Sequence, residues 1–355
     1  MREVAEKVGV HLTTAARAIK NDPRVKAETV AKVQRAAKEL GYSADPMLSA
    51  LSVYRTASKP SQFHGTVGWV TNFPTPNGWK HESFSQYREG AAETLARHGY
   101  RVEDFWLQQS GVTARRSTQI LQSRGIRGLL VCPLPVMCGH LSLKWDRFAS
   151  VTFGYSLFRP SLHLVTTSHY HNMHISLRNL RNLGHRRIGF VSWDEISKRV
   201  YQFWTAAYRT PPFAGRLLPI LDLKMTPHTF SDHNKEIFLR WCETHRPDAV
   251  LAVDKHILDW LKEIYRVPED VSYVSPSLQE SNVDHHAGVR EPSLEIGRAA
   301  GDFLAGLLSR GQYGIPKVPQ RVTLDGVWQD GPTVESKRLK SSNAGSVKSL
   351  VGNGL

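Results

Sequence analysis

The sequence predicts a small all-α unit followed by a two-lobed α/β body built on parallel sheets. Three observations predict it. Over the first 55 residues apolar side chains recur at helical spacing, with no strand pattern. From Thr66 onward, short strand-like runs alternate with helical stretches, the mark of repeated βα units. That alternation restarts near Arg187 in a second series of similar size, which implies two similar lobes with a cleft at the carboxyl ends of their strands.

Each element follows from local pattern. Residues 2–8 place Val4, Ala5 and Val8 on one helical face, and Gly9 interrupts. The helix resumes over 12–20 with Ala15, Ala18 and Ile19 in phase, then Asn21-Asp22-Pro23 makes a loop. A longer helix over 27–40 turns Val30, Val33, Ala37 and Leu40 inward and ends at Gly41. Asp45 followed by Pro46 is a capped start for a short helix reaching Tyr54. In the body, strands are expected at 66–71, 100–106, 128–132 and 150–153, with helices at 83–98 and 113–123. A helix ending near Leu183 leads to strand 187–192, helix 198–207, strand 217–222, helix 232–244 and strands 249–253 and 271–274. The tail, rich in Ser, Lys, Gly and Asn, has little to bury and is expected to be disordered.

Composition narrows the function classes. The chain has 355 residues, 41% of them hydrophobic and 22% charged, too apolar for a disordered protein and long enough for two or three domains. It has no apolar run of about 18 residues, and Arg2-Glu3 follow Met1 where an export signal would be apolar, so a cytoplasmic protein without a membrane partner is expected. Cys132, Cys138 and Cys242 are too few for a disulfide framework or a four-ligand zinc site. His169, His171 and His174 lack a nearby acidic partner or cysteine pair, and these and the His285-His286 pair read as solvated or packed histidines, so no metal site is expected. Ser156 and Ser192 lack a nucleophile-elbow context and no phosphate-binding loop is present, which leaves no catalytic residues and no cofactor to propose.

Charge is uneven. The 46 Lys+Arg against 32 Asp+Glu give +14, of which residues 1–60 carry +5 and the stretch from Thr333 carries +3. A basic end suggests a polyanionic partner, although solubility alone would produce the same excess.

A motif decides between them. Ala5, Gly9, Val10, Ala15 and Ala18 have the spacing of a helix-turn-helix: a small residue at the crossing, glycine in the turn, apolar side chains closing the corner. Residues 4–10 (Val-Ala-Glu-Lys-Val-Gly-Val), then Thr14, Arg17, Ile19, Asn21 and Val25, then 36–42 (Ala-Ala-Lys-Glu-Leu-Gly-Tyr) closely resemble the DNA-binding headpiece of the lactose/galactose-repressor family. The resemblance continues through Leu183-Gly184-His185-Arg186-Arg187-Ile188-Gly189-Phe190, Pro247-Asp248-Ala249-Val250 and 267–272, in colinear order over roughly residues 1–330.

The resemblance implies an organisation and a set of roles. Residues 1–44 would be the headpiece, 45–60 a hinge helix and linker, 61–332 a two-lobed periplasmic-binding-protein-like domain for effector binding and dimerisation, and 333–355 a loose tail. In the recognition helix, Leu12, Thr13 and Arg17 occupy positions that face base edges, where Arg17 could give a bidentate contact to guanine. Thr14 would hold phosphate, and Asn21 belongs to the same DNA-contacting set. Leu51 falls where the family wedges a leucine into the minor groove at the centre of a palindromic operator. Ala44-Asp45 replaces the family's usual Pro-Asn, and Ser49 stands where arginine is frequent; Arg55 could compensate for the negative charge of Asp45. The first helix also lacks the family's usual Thr or Ser cap, either an uncapped start or a sequence beginning a few residues late.

In the body, Arg199 matches an arginine that commonly binds the effector. Three other common ligand positions are altered: Ser168-His169 replaces Asp-Asn, Asp254-Lys255 replaces Asn-Asp, and Ser275-Pro276-Ser277 replaces Gly-Phe-Asp. Loss of carboxylates that pair with sugar hydroxyls argues against an ordinary hexose and points to an anionic or aromatic ligand, or to none. Asn72, Phe73, Trp79, Trp193 and Trp204, near strand ends or the helices that follow, are suited to line the cleft, and Asp254 and Ser277 stand at two of the altered ligand positions. The reading is therefore a sequence-specific, nucleoid-associated transcriptional regulator: a homodimeric repressor of a carbohydrate-utilisation or related catabolic operon, controlled by a small molecule such as a sugar or sugar derivative. A periplasmic sugar-binding protein shares the two-lobed body but would need an export signal and would have no use for the headpiece.

Overall fold

The computed structural model describes residues 1–19, 22, 24–40, 64–109, 112–213, 217–224 and 232–337. The expected hinge helix, with Leu51 and Arg55, and Asn21 in the preceding loop lie outside the described residues, as does the chain after 337.

Three helices form the N-terminal unit, Arg2–Val8, Leu12–Ile19 and Ala27–Glu39. Their shared core is made of Val4, Ala5, Ala15, Ala18, Val33, Ala36 and Ala37, and the five alanines let the helices cross closely. Leu40, expected to face inward, is instead the C-cap of the third helix and 40% exposed.

The body has two six-stranded sheets. Its strands are β1 (Gly65–Thr71), β2 (Tyr100–Trp106), β3 (Gly128–Val131), β4 (Gly139–His140), β5 (Ala149–Phe153), β6 (Leu157–Arg159), β7 (His163–Thr167), β8 (Ile188–Trp193), β9 (Leu221–Leu223), β10 (Ala249–Ala252), β11 (Ser272–Leu278), β12 (Ala287–Arg290), β13 (Arg321–Leu324) and β14 (Val327–Gln329). The first lobe has the order β13-β7-β5-β3-β1-β2, and the second β14-β12-β11-β10-β8-β9. The pairings within these sheets are parallel except β12 with β14. Both faces of the first sheet are covered, one by Trp69, Leu95, Val151, Phe153, Ile296 and Leu304, the other by Val70, Phe105, Leu121, Leu129 and Phe148. This two-sided burial is what near-continuous apolar strands such as Gly-Leu-Leu-Val at β3 require.

The lobes are not consecutive halves of the chain. It passes from β7 into helix His169–Asn182 of the second lobe, returns after β12 into helix Ser293–Arg310 of the first, and crosses again from β13 to β14. Backbone bonds tie these crossings together: Ser168 N–H donates to Leu324 O at 2.8 Å, and Gly326 N–H donates to Asn172 Oδ1 at 2.9 Å. Asn172 Nδ2 in turn donates to Thr167 Oγ1 at 3.0 Å.

Sequence pattern missed several elements. Strands β7, β12, β13 and β14 and the 18-residue helix Ser293–Arg310 were not anticipated. The helix carries Gly297, Gly301 and Gly306, which lower its intrinsic propensity. Tertiary packing explains two of them: a Cβ at Gly297 would overlap the Tyr87 carbonyl oxygen, and one at Gly301 would meet Ala91 O at 3.0 Å. Helix Glu82–Arg97 thus lies backbone against backbone on helix Ser293–Arg310. The helix expected at 198–207 is two, Asp194–Arg199 and Phe203–Arg209, broken where Tyr201 and Gln202 adopt φ of 52° and 57°. The strand expected at 217–222 shrinks to β9 because Pro219 has no N–H for a ladder. Pro276 lies within β11 at a shift of register between Ser275 and Leu278, where a missing donor is tolerated.

Residues 333–337, expected to begin a loose tail, pack on the second lobe. Thr333 is buried; its Oγ1 donates to Tyr273 O at 2.8 Å and accepts from Ala287 N–H at 2.9 Å. His185, fully buried, donates from Nε2 to Glu335 O at 3.1 Å and lies 3.5 Å from the Asp248 carboxylate. Asp248 accepts from the backbone of Arg186 and Arg187, at 2.8 and 3.1 Å. The two short motifs Gly-His-Arg-Arg and Pro-Asp-Ala thus join the starts of β8 and β10.

Candidate functional site

The helical unit exposes one side of its second helix. Gly9 ends the first helix at φ 71°, a left-handed conformation in which any side chain would be strained even though the space beside it is open. Val10 N–H then closes the turn on Ala5 O at 3.0 Å. Burial of Ala15 and Ala18 against the third helix leaves Leu12, Thr13 and Arg17 outward, with Leu12 43% exposed. Arg17 makes no ion pair among the described residues, so its guanidinium fork is available. Thr14 is half-buried.

One residue that sequence reasoning missed supports this second helix. His11 precedes it, and its Nδ1 is 2.8 Å from Thr13 Oγ1 and 3.4 Å from Thr13 N. The imidazole thereby caps the helix start and orients the Thr13 hydroxyl. Met1, the N-cap of the first helix, makes no side-chain capping bond.

The second site lies where the lobes face each other. Arg199 ends helix Asp194–Arg199 of the second lobe and reaches the loop after β3 of the first; Nη2 donates to Leu134 O at 2.6 Å and Nη1 to Pro135 O at 3.4 Å. At another point Glu82 accepts from Ser281 N–H at 2.7 Å and from the Ser281 hydroxyl, while Gln279 Nε2 approaches His81 Nε2 at 3.4 Å. Aromatic rings also bridge the gap. Tyr155, following β5, meets Tyr201 at 5.0 Å and Phe203 at 5.3 Å between centroids. The left-handed pair Tyr201 and Gln202 aims those rings, a local strain of the kind that collects at functional sites.

At the crossings between lobes, Ser277 Oγ donates to Glu291 Oε1 at 2.6 Å, and His169 Nδ1 lies 4.0 Å from the same oxygen, too far for a hydrogen bond. The Glu291 side chain is 11% exposed. Burial raises its carboxyl above the ordinary value, against the lowering effect of the Ser277 hydroxyl. Burial also pushes His169 down to about 4, so its imidazole is neutral at neutral pH. Trp204 covers that ring edge-on at 4.9 Å.

The other expected cleft residues have mixed placements. Asn72 and Phe73 are half-buried after β1; their carbonyls accept from Gln108 Nε2 at 3.1 Å and Trp106 Nε1 at 2.7 Å. Trp79 is 4% exposed and packs on Trp69 at 5.5 Å, and Trp193 is 3% exposed against Trp260 at 6.2 Å, so core packing accounts for both. Asp254 caps helix Lys255–Lys262, accepting from His256 N–H at 2.9 Å and facing His256 Nδ1 at 2.7 Å. Tyr155 and the Glu82–Ser281 contact had no sequence signal because their partners lie on different lobes, and Glu291 had none because Ser277 and His169 reach it from other elements of its own lobe. Among the described residues, no group of three or more His, Cys, Asp or Glu is arranged to hold a metal, and no helix is long and apolar enough to cross a membrane.

Residues 1–45 match the family model of bacterial regulatory proteins, lacI family. By fold, the chain is similar to a transcriptional regulator CelR–cellobiose complex, at 20% identity and TM-score 0.54 over 93% of this chain and 98% of that one. It is similar also to the lac repressor dimer bound to operator and the anti-inducer ONPF, at 17% identity and TM-score 0.53 over 94% and 98%. A third is a LacI-family transcriptional regulator from Enterococcus faecium with bound ribose, at 15% identity and TM-score 0.52 over 76% and 99%. No curated protein matches by sequence. A lacI-type helix-turn-helix joined to a two-lobed α/β body defines a DNA-binding transcriptional regulator. Residues 1–45 are thus of the lacI family of bacterial regulatory proteins, and the rest of the chain shares the fold of these solved structures.

Proposed function

We propose that the protein is a homodimeric repressor acting in the cytoplasm on an operon for carbohydrate utilisation or a related catabolic route. It acts as a regulator and not as an enzyme. Leu12, Thr13 and Arg17 read base edges in the major groove, Thr14 and Asn21 set register on the backbone, and Leu51 wedges the minor groove with help from Arg55. The cleft between the lobes takes a small-molecule effector, a sugar or sugar derivative, at a site built around Arg199, Asn72, Phe73 and Ser277. Trp79, Trp193 and Asp254 back that site from the lobe cores and the helix cap.

The observation that carries this reading is the lacI-family match over residues 1–45, joined to a body whose lobes meet through Arg199. Similarity to a lac repressor dimer on its operator, and to a regulator in complex with cellobiose, supports the dimer and effector parts. Footprinting of the full chain on DNA flanking its own gene tests the proposal. Protection centred on a palindrome is expected, weakening steeply with salt as phosphate neutralisation requires. Absence of protection at low salt would remove the repressor reading.

A further inference from the structure

Carboxylates around the interlobe cleft are already engaged. Glu82 is held by Ser281, Asp104 by Arg88 at 2.6 Å, Asp194 by Lys198 at 3.4 Å, Asp254 by His256, and Glu291 by Ser277. None of them forms an ion pair with Arg199 among the described residues. That guanidinium is half-buried, and burial pushes it below its ordinary value. Its two side-chain contacts are both to neutral backbone carbonyls, Leu134 O and Pro135 O.

Such a cation is poorly matched. An arginine presents a planar fork whose strongest partner is a two-oxygen anion, and an ionised acceptor bonds it about twice as strongly as a carbonyl does. A neutral polyol would need the reverse: free carboxylates to accept from its hydroxyls, which this cleft has spent on its own groups. Position agrees with charge, since Arg199 projects from one lobe onto the strand-end loop of the other, where α/β proteins hold ligands.

We propose that the cleft takes a small organic carboxylate, whose two oxygens accept from Arg199 in place of the Leu134 and Pro135 carbonyls. This rests on the cleft being the effector site. Sugar acids and planar aromatic acids share the chemistry, and two matched probe pairs separate them: galacturonate with galactose, and 4-hydroxybenzoate with 4-hydroxybenzyl alcohol.

Isothermal titration of the full-length protein with each compound is the test. At least one carboxylate is expected to bind roughly tenfold or more tightly than its neutral counterpart, the loss of one charge-assisted contact. Arg199→Gln should abolish that preference, and Arg199→Lys, which keeps the charge without the fork, should retain part of it. Equal or tighter binding of the neutral partners to the wild-type protein would overturn the proposal, as would no binding of either carboxylate. A preference for the carboxylate that survives in a folded Arg199→Gln protein would overturn it too. Galactose that binds and changes operator affinity would sink the carboxylate assignment while leaving the cleft as effector site. A compound that binds with operator affinity unchanged would instead sink the effector reading.

Discussion

Two glycines of helix Ser293–Arg310 should respond to alanine with opposite signs. Helix propensity alone favours Ala over Gly by about 1 kcal/mol at an interior position, so both substitutions would stabilise an isolated helix. At Gly306 the new methyl meets only the tip of Arg310, with Nη1 at 3.0 Å, and that side chain can swing away. Gly306→Ala should therefore keep most of the gain. At Gly297 the methyl overlaps the Tyr87 carbonyl oxygen, with Ala91 N at 3.0 Å. Those are backbone atoms of helix Glu82–Arg97, so relief requires the two helices to move apart. Overpacking of this kind costs roughly 1–3 kcal/mol and more where backbone must move. The net expectation for Gly297→Ala is a loss of about 1–2 kcal/mol, or roughly 2–8 °C in melting temperature at about 2–4 °C per kcal/mol. Urea unfolding followed by tryptophan fluorescence, with thermal melts, measures both variants. A Gly297→Ala protein as stable as Gly306→Ala would refute the argument that close backbone contact, and not local flexibility, explains the glycine.

Three further outcomes follow from the sites. Arg17→Ala should weaken operator binding by about 1–3 kcal/mol and relax preference at one base pair, read by competition with single-substitution operators; equal weakening on every DNA would reassign Arg17 to phosphate. Leu51→Ala should reduce the bend in bound DNA measured by circular permutation, and an unchanged bend would dispose of the wedge. His169 makes the protein acid-sensitive. Its folded value of about 4 lies below the ordinary 6.5, so the unfolded chain alone gains a proton as pH falls through that window. By this group, stability is constant above about pH 6.5 and has dropped by about 2 kcal/mol at pH 5. The raised carboxyl of Glu291 works in the opposite direction and offsets part of the drop. His169→Asn should therefore be less destabilised than wild type between pH 7 and pH 5 in urea titrations; parallel loss in both proteins would show that His169 is not held neutral.

Legibility in the sequence tracked the range of the contacts. The helical unit was readable almost residue by residue, because Ala5, Gly9, Ala15 and Ala18 act within a span of a few turns and each has a local job. The βα alternation was readable for the same reason, and the motif residues His185 and Asp248 turn out to pin two neighbouring strands. Leu40 and the 198–207 helix show where periodicity failed: a cap and a left-handed pair override the apolar pattern. Glu291 shows a different failure. A glutamate before a proline has no signal of its own, and only the return of the chain at the end of β12 brings it to Ser277 and His169.

By itself the sequence determined the architecture of the DNA-reading unit, the two parallel-sheet lobes and the arginine that faces the cleft. The first two are written in spacing, which acts through hydrogen bonds and burial between near neighbours, and the arginine is implied by the family resemblance. Tertiary structure alone decided that the lobes exchange chain three times, that two helices touch through glycine, and that Glu82, Asp254 and Glu291 are already taken. Those depend on residues well apart in the chain meeting at fixed distances, Glu82 and Ser281 across 199 positions and Arg199 and Leu134 across 65, and the charge left over at Arg199 is visible only once they have met.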